Sequence, residues 1–413
     1  MKRVVVTGLG AVSPCGLDVP TTWASLKAAR SGIGRITLFD SSQHAVQFAG
    51  ECWGFEVERH VPRKEVRTMD RFIHLAMGAA DEALASARIV GEHPLKENLG
   101  TLIGVGMGGL QTIENTARVL VEKGPSKISP YFIPATISNL AAGQVSIKHG
   151  LKGESYATTS ACASGAHAVG EAFRAIARGE LTACLAGGAE AVITPLGVGG
   201  FAAMRALSRR NAEPTRASRP WDVDRDGFVI AEGAGLLLLE DRDQALAREA
   251  KIYAEVVGYG ASSDAYHLTT PAPEGEGAQR AIRAALRDAR LNPEQVDYVN
   301  AHGTSTPAGD MLELAALRRV FGDHIQRGLW VSSTKSMTGH LLGAAGGLEA
   351  VICALALAER VVPPTINLEH PEPEAAGFDL VPHEARQRTL NYVLSNSFGF
   401  GGTNASILFA RHD

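Results

Sequence analysis

Three short stretches carry residue types suited to nucleophilic and carbonyl chemistry. In "TTSACASGAHA", Thr158 to Ala168, a single cysteine, Cys162, stands among Ala, Ser, Thr and Gly where a helical pattern, "AHAVGEAFRAIARGE", begins. A cysteine at a helix N-terminus faces unpaired backbone N–H groups and the positive end of the helix dipole, and both favour thiolate over thiol near neutral pH. Its small neighbours leave room for an acyl group, yet they suit a tightly packed buried cysteine equally well. Taken alone, Cys162 reads both as core filler and as nucleophile. His302 in "VNAHGTSTPAGD" directly follows a strand pattern, and His340 in "STKSMTGHLLGAAGG" precedes a helical one. Strand ends and helix starts are where open α/β sheets place their sites. A lone loop histidine is ordinarily structural, but two in Gly/Thr/Ser-rich settings beside a candidate thiolate point to one constellation. Lys335 lies five residues before His340 and Glu349 nine after it. The stretch "GHLLGAAGGLE" is otherwise uncharged, so a charge buried there needs its partner.

Other motifs promise chemistry and fail on inspection. "TLIGVGMGGLQTIE" holds Gly104, Gly106 and Gly109 in G-x-G-x-x-G spacing. The chain then runs into "EKGPSKISPYFIPATI" instead of a second parallel strand ending in a ribose-binding acid, so close backbone packing is the preferred reading over a dinucleotide. "DVDRDGFVIAEG" approaches a calcium loop with Asp222, Asp224 and Asp226, but Gly233 stands where the bidentate acid belongs, which leaves a solvated acidic turn and no metal site. "NSFGFGGTNAS" has no Lys-Ser/Thr ending and is not a phosphate loop; its glycines are free to bring backbone N–H groups close to a reacting oxygen.

These residues need a scaffold, and the rest of the chain supplies one. Short apolar runs such as "RVVVTGLG", "TACLAGGAE", "GLLLLE" and "YVLSNSFGFGG" alternate with helical patterns such as "TMDRFIHLAMGAADEALASA" and "GAQRAIRAALRDAR", which reads as α/β with buried sheets. The charged "EDRDQALAREAK" precedes a new strand near Ile252 and marks a seam, so the expected units are 1–250 and 251–413. Each starts with a strand ending in a Gly-containing turn ("VVVTGLGAVS", "AEVVGYGASS") and later opens an apolar helix with small residues, a pattern of divergent duplication.

At 413 residues, with 45% hydrophobic and 20% charged residues, the composition is that of an ordinary globular protein able to bury a large core. A formal net charge of −4 gives no global attraction to nucleic acid or anionic membrane, so neither is an expected partner. The five cysteines are scattered and lack C-x-x-C spacing, which predicts a reduced, cytoplasmic protein without disulfides or zinc. The N-terminus carries no apolar export signal, and no apolar run is expected to reach the ~18 residues of a membrane span.

Together, "TTSACASGAHAVG", "SRPWDVDRDGFVIAEGAG", "VNAHGTSTPAGD", "SSTKSMTGHLLGAAGGLEA", "PPTINL" and "NSFGFGGTNAS" resemble the β-ketoacyl-[acyl-carrier-protein] synthases of fatty-acid synthesis, most nearly the type II condensing enzymes. The resemblance spans essentially the whole chain. It implies the thiolase fold, a five-layered α-β-α-β-α core from two similar halves, as a homodimer. It further implies that Cys162 takes the acyl chain as a thioester, that the N–H groups of Cys162 and Phe400 form the oxyanion hole, and that His302 and His340 support decarboxylation of malonyl-carrier protein. Lys335, paired with Glu349, would set the local field. Thr304 and Thr306 match positions that hold the pantetheine arm, and the enzyme needs no cofactor or metal of its own, the phosphopantetheine arriving on the acyl-carrier protein. Phe400 also matches a gating phenylalanine, opposite a loop with Asp264 and His267. Met107 falls in the acyl pocket, where relatives more often have Ile, and Phe132 would reach a partner subunit's pocket. Lys64, Arg67, Lys127 and Arg205 match the carrier-docking positions beside the tunnel mouth, while Thr68 and Ser126 stand where relatives are often basic. Two other readings stay open: a polyketide-type ketosynthase or a non-catalytic chain-length-factor partner of the same fold, which typically lacks the cysteine, and a hydrolase using Cys162, one histidine and Asn404 or Asn396.

Overall fold

The computed structural model describes residues 1–412. Its main sheet contains β1 (Val4–Val12), β2 (Leu99–Gly104), β3 (Ser155–Tyr156), β4 (Ala183–Glu190) and β5 (Gly233–Asp241). The next five strands are β6 (Ala254–Ser263), β7 (Tyr298–Asn300), β8 (Trp330–Ser332), β9 (Tyr392–Gly399) and β10 (Thr403–Ala410). Every residue of β1, β4 and β5 is buried, which is why these strands read as continuous apolar runs instead of alternating ones.

The strand order is β8-β7-β9-β10-β6-β1-β5-β4-β2-β3. Within each five the order is the third, second, fourth, fifth and first strand. The fifth strand runs antiparallel to both its neighbours, and the remaining pairs are parallel, in both sets. The two sets share one topology, and they join through an antiparallel contact of Val4, Val5 and Val6 with Val256, Glu255 and Ala254.

Six helices matter for the site: α1 (Arg71–Ser86), α2 (Leu140–His149), α3 (Ser164–Arg178), α4 (Glu276–Ala289), α5 (Pro307–Phe321) and α6 (Ala345–Glu359). Helices α3 and α6 pack against each other and against strands of both sets, so they form the central layer. Helix α1 covers β1, β4 and β5 from outside, and α4, backed by α5, covers β6 and β10, which completes five layers.

The central layer explains two features of the sequence. Its helices approach each other and the sheets so closely that a β-carbon on Gly165 would sit 2.7 Å from the Gly347 nitrogen, and one on Gly104 2.2 Å from the Ser164 carbonyl carbon. Gly104 and Gly109 therefore serve backbone packing, as their context suggested, while Gly106 lies against the Glu190 carboxylate. The second feature corrects an expectation: Leu342–Glu359 is 18 residues long with mean hydropathy 1.6, enough to cross a membrane by length and composition. It is 89% buried inside the protein, and a helix enclosed on every side is apolar on every side.

Candidate active site

Cys162 lies just ahead of α3, whose first turn no side chain caps. The turn is strained, with Ala161 at φ +51°, a left-handed conformation that a β-carbon disfavours. Several bonds hold it there. Ser164 Oγ donates to the Ala161 carbonyl at 2.7 Å and accepts the Ser160 N–H at 2.9 Å, and Thr403 Oγ1 donates to the Ser160 carbonyl at 2.9 Å. His167 joins them, its Nδ1 lying 2.6 Å from Ser160 Oγ. A β-carbon on Gly399 would come within 2.7 Å of the Ser160 oxygen and 3.1 Å of the Cys162 nitrogen; glycine lets the 399–402 loop reach the cysteine.

Burial overrides the helix terminus. The Cys162 thiol is pushed up to about 12, first by loss of water and then by the Glu190 carboxylate, against the pull of Lys335 and of the N–H groups of Phe400 and Cys162. The resting group is a thiol, which corrects the expectation of a thiolate near neutral pH. The two N–H groups that act on the sulfur belong to Cys162 and Phe400, residues far apart in the chain.

His302 follows β7 and His340 precedes α6, and their rings meet edge to face with centroids 5.3 Å apart. Phe398 packs on His302 at 5.7 Å and Phe228 on His340 at 5.4 Å. The backbone of His340 is pinned to the 229–231 segment, donating to the Val229 carbonyl at 2.8 Å and accepting from Ala231 at 3.0 Å. Both Nδ1 atoms are buried without a partner among the described residues. Desolvation, then Lys335, hold both imidazoles well below the ordinary histidine value, and His340 adds to the effect on His302. Lys335 is fully buried in an ion pair with Glu349.

A cavity of about 640 Å³ is lined by Cys162, His302, His340, Phe398 and Phe400. Met107, Asp264, Thr304, Thr306 and Arg205 line it as well, the two threonine hydroxyls 3.1 Å apart. Asp264 also ties its loop to the glycine-rich one, accepting from Asn404 at 2.7 Å and donating its N–H to the Gly402 carbonyl at 2.8 Å. Other candidates lie elsewhere. His267 is exposed and caps its own loop through Thr269 and Thr270. Phe132 sits in the short helix Phe132–Thr136 and does not line the cavity. Lys64, Arg67 and Lys127 are exposed away from the cavity lining, and only Arg205 stands at it. Asn404 binds Asp264, and Asn396 binds Ser406 and Glu313, so neither supplies a Cys-His-Asn arrangement.

The sequence reading missed two buried acids. Glu313, on α5, accepts the N–H groups of His302 at 2.9 Å and Gly303 at 2.7 Å and so fixes the first histidine's loop. Glu190 ends β4 and also lines the cavity. A charge closing the apolar run "TACLAGGAE" was the available signal. The acidic turn was misjudged as well: Asp222 is fully buried, taking Nε of Arg219 at 2.9 Å and the N–H groups of Glu369 and His370 at 2.8 and 2.7 Å. It braces the segment whose Ser218 hydroxyl donates to the Lys335 carbonyl at 2.7 Å; only Asp224 and Asp226 are solvated.

The family model "Beta-ketoacyl synthase, N-terminal domain" matches residues 1–245, and "Beta-ketoacyl synthase, C-terminal domain" matches residues 253–369. The chain belongs to the β-ketoacyl synthase family. The chain is 51% identical to the 3-oxoacyl-[acyl-carrier-protein] synthase 2 of Vibrio cholerae, over 99% of both chains. It is equally 51% identical to the protein of that name from a Synechocystis species, over 100% of this chain and 98% of the other. Among solved structures, a β-ketoacyl synthase from Burkholderia phymatum superposes with TM-score 0.93 at 38% identity over the whole of both chains. A type II polyketide ketosynthase solved in complex with its acyl-carrier protein superposes with TM-score 0.91 at 32% identity, again over both whole chains. The architecture is the thiolase fold of the ketosynthases, and the protein is a β-ketoacyl synthase of the type II kind, catalysing Claisen-type condensation in fatty-acid elongation.

Proposed function

We propose that the condensation runs on Cys162, His302 and His340, with both acyl groups delivered by an acyl-carrier protein. The observation that carries this reading is the convergence, in one desolvated cavity, of a thiol faced by two backbone N–H groups and two imidazoles held neutral. Cys162 Sγ attacks the thioester carbonyl, and the Cys162 and Phe400 N–H groups hold the oxyanion. The bond to the carrier's sulfur breaks, and the thiol proton leaves with it by way of a cavity imidazole.

Malonyl-carrier protein then enters. Its C–C bond to the carboxylate breaks, CO2 departs, and the electron pair becomes an enolate whose oxygen lies between the two imidazoles. A neutral imidazole can donate one N–H to that oxygen without offering the carbanion an acidic proton, and the cavity excludes water that would quench it. The carbanion attacks the Cys162 thioester, a C–C bond forms, Sγ leaves, and 3-oxoacyl-carrier protein results. The Lys335–Glu349 pair places a cation beside both rings and the sulfur, favouring neutral imidazole and lowering the cost of ionising the thiol.

Thr304 and Thr306 hold the pantetheine arm, Phe400 gates the cavity, and Met107 bounds the acyl chain. Arg205 is the docking residue at the mouth, with Lys64, Arg67 and Lys127 as a more distant basic face. The division of labour falls near residue 250, the nucleophile before it and both histidines after it. A second copy of the chain covers the open edge of β3, where Tyr156 is exposed. Mixing the purified protein with acyl- and malonyl-carrier protein should release CO2 and yield the two-carbon-longer 3-oxoacyl product by mass. Product formation by Cys162→Ala would end this assignment of the nucleophile.

A further inference from the structure

Glu190 is a buried carboxylate that the mechanism above leaves without a role. It is fully inaccessible to solvent, yet it lines the same cavity as Cys162. Its oxygens receive backbone N–H groups from two loops, one in each half of the chain. Oε2 accepts from Gly106 at 2.8 Å and from Gly343 at 3.2 Å, and Met107 N–H lies 3.2 Å from both oxygens. The Gly108 N–H is directed at it as well. Burial pushes the Glu190 carboxyl up to about 7, and the successive N–H groups form a nest around its oxygens that opposes that push.

Each loop needs the anchor. Gly106 and Gly343 approach the carboxylate so closely that a β-carbon would meet Oε2 at 2.4 and 2.7 Å. In the second loop Leu342, two residues past His340, has φ +49°, a strained conformation for a leucine that must be imposed by its surroundings. Upstream the His340 backbone is fixed by Val229 and Ala231, and downstream the next fixed point is Gly343 on Glu190. In the first loop the bonded residues are Gly106, Met107 and Gly108, and Met107 lines the cavity.

We propose that Glu190 is a positioning residue that joins the acyl-pocket wall at Met107 to the His340 loop, so that chain-length selection and enolate stabilisation share one carboxylate. The shared oxygen makes a shift in one loop felt in the other. This rests on the roles given above to Cys162 and His340. Removing the carboxylate lets both loops relax, and a displacement of about 1 Å at a reacting group costs on the order of 100-fold in rate.

The test separates the two half-reactions. Glu190→Ala and Glu190→Gln are compared with the wild type for acylation of Cys162 across an acyl-carrier-protein length series, read by intact mass, and for malonyl-carrier-protein decarboxylation. Glu190→Ala is expected to lower decarboxylation kcat by about 100-fold with KM within about threefold, and to flatten the chain-length preference. Glu190→Gln keeps one acceptor oxygen and should recover about tenfold of that loss. Wild-type kcat and wild-type length preference in the alanine variant would overturn the proposal, as would losses in both variants that simply track their unfolded fraction. Failure of the wild type in either half-reaction would instead overturn the reading on which it rests.

Discussion

The two five-strand units share one topology and use it for opposite chemistry. After its third strand the first unit presents Cys162 and α3; after the equivalent strand the second presents Lys335, His340 and α6. After its second strand the first unit presents Gly106 and Met107, and the second presents His302. The surroundings differ just as sharply. Around Cys162 the turn is built from alanine, serine and glycine with backbone bonds, and the charged groups that act on the sulfur are Lys335 and Glu190. Around the histidines lie the buried charges Glu313, Lys335 and Glu349. A nucleophile that must carry an acyl chain needs space and N–H donors, whereas imidazoles that must stay neutral need a fixed cation nearby. A duplicated frame thus offers the same strand ends twice, and side-chain chemistry divides the labour.

That division is open to breakage, the largest effect first. Cys162→Ala should lose condensation by on the order of 10⁴-fold or more while malonyl decarboxylation persists, because the histidine side does not need the sulfur. Concurrent loss of decarboxylation would show that the units are not separable. His340→Ala should do the reverse, lowering decarboxylation by about 10²–10³-fold while Cys162 still acquires its acyl mass. Lys335→Ala strands Glu349 as an unpaired buried charge and should cost about 3–5 kcal/mol of stability by denaturant unfolding; a loss within experimental error would show that the pair contributes nothing.

The pH responses of the two sides sharpen the contrast with smaller effects. Alkylation of Cys162 by a haloacetamide should climb about tenfold per pH unit from neutrality upward, because the buried thiol is largely protonated. A plateau already reached at pH 7 would mean that the helix terminus, not burial, governs the sulfur. The histidines act in the acid direction. Their folded values are depressed, so the stability they contribute is full above the ordinary 6.5 and is lost as pH falls, when the unfolded chain binds protons that the folded rings refuse. Decarboxylation should accordingly persist below pH 6 until unfolding intervenes. A kinetic protonation step near 6.5 would contradict neutral burial.

Much of this was legible in the residues. Cys162, His302 and His340 announce themselves because a reactive side chain in a Gly/Ser/Thr-rich turn is locally unusual, and the alternation of apolar runs with amphipathic helices announces an α/β chain. Glu313, Glu190 and His167 were not legible as parts of the site, because an acid on a helix, an acid at a strand end and a histidine at a packed position look ordinary until their partners arrive from elsewhere in the chain. Asp222 shows the reverse error: three aspartates in five positions read as solvated, and the first of them is buried because Arg219, Glu369 and His370 converge on it.

By itself, then, the sequence determined the candidate reacting groups, the class of fold and the family signature, since each depends on local composition or spacing. Only the tertiary structure decided the protonation states and the couplings. The helix terminus promised a thiolate, but desolvation by the whole surrounding core left a thiol. The histidines became neutral donors because folding buried them beside a lysine. Charge state depends on everything within several ångströms in space, and neighbours in space are what a linear sequence does not specify.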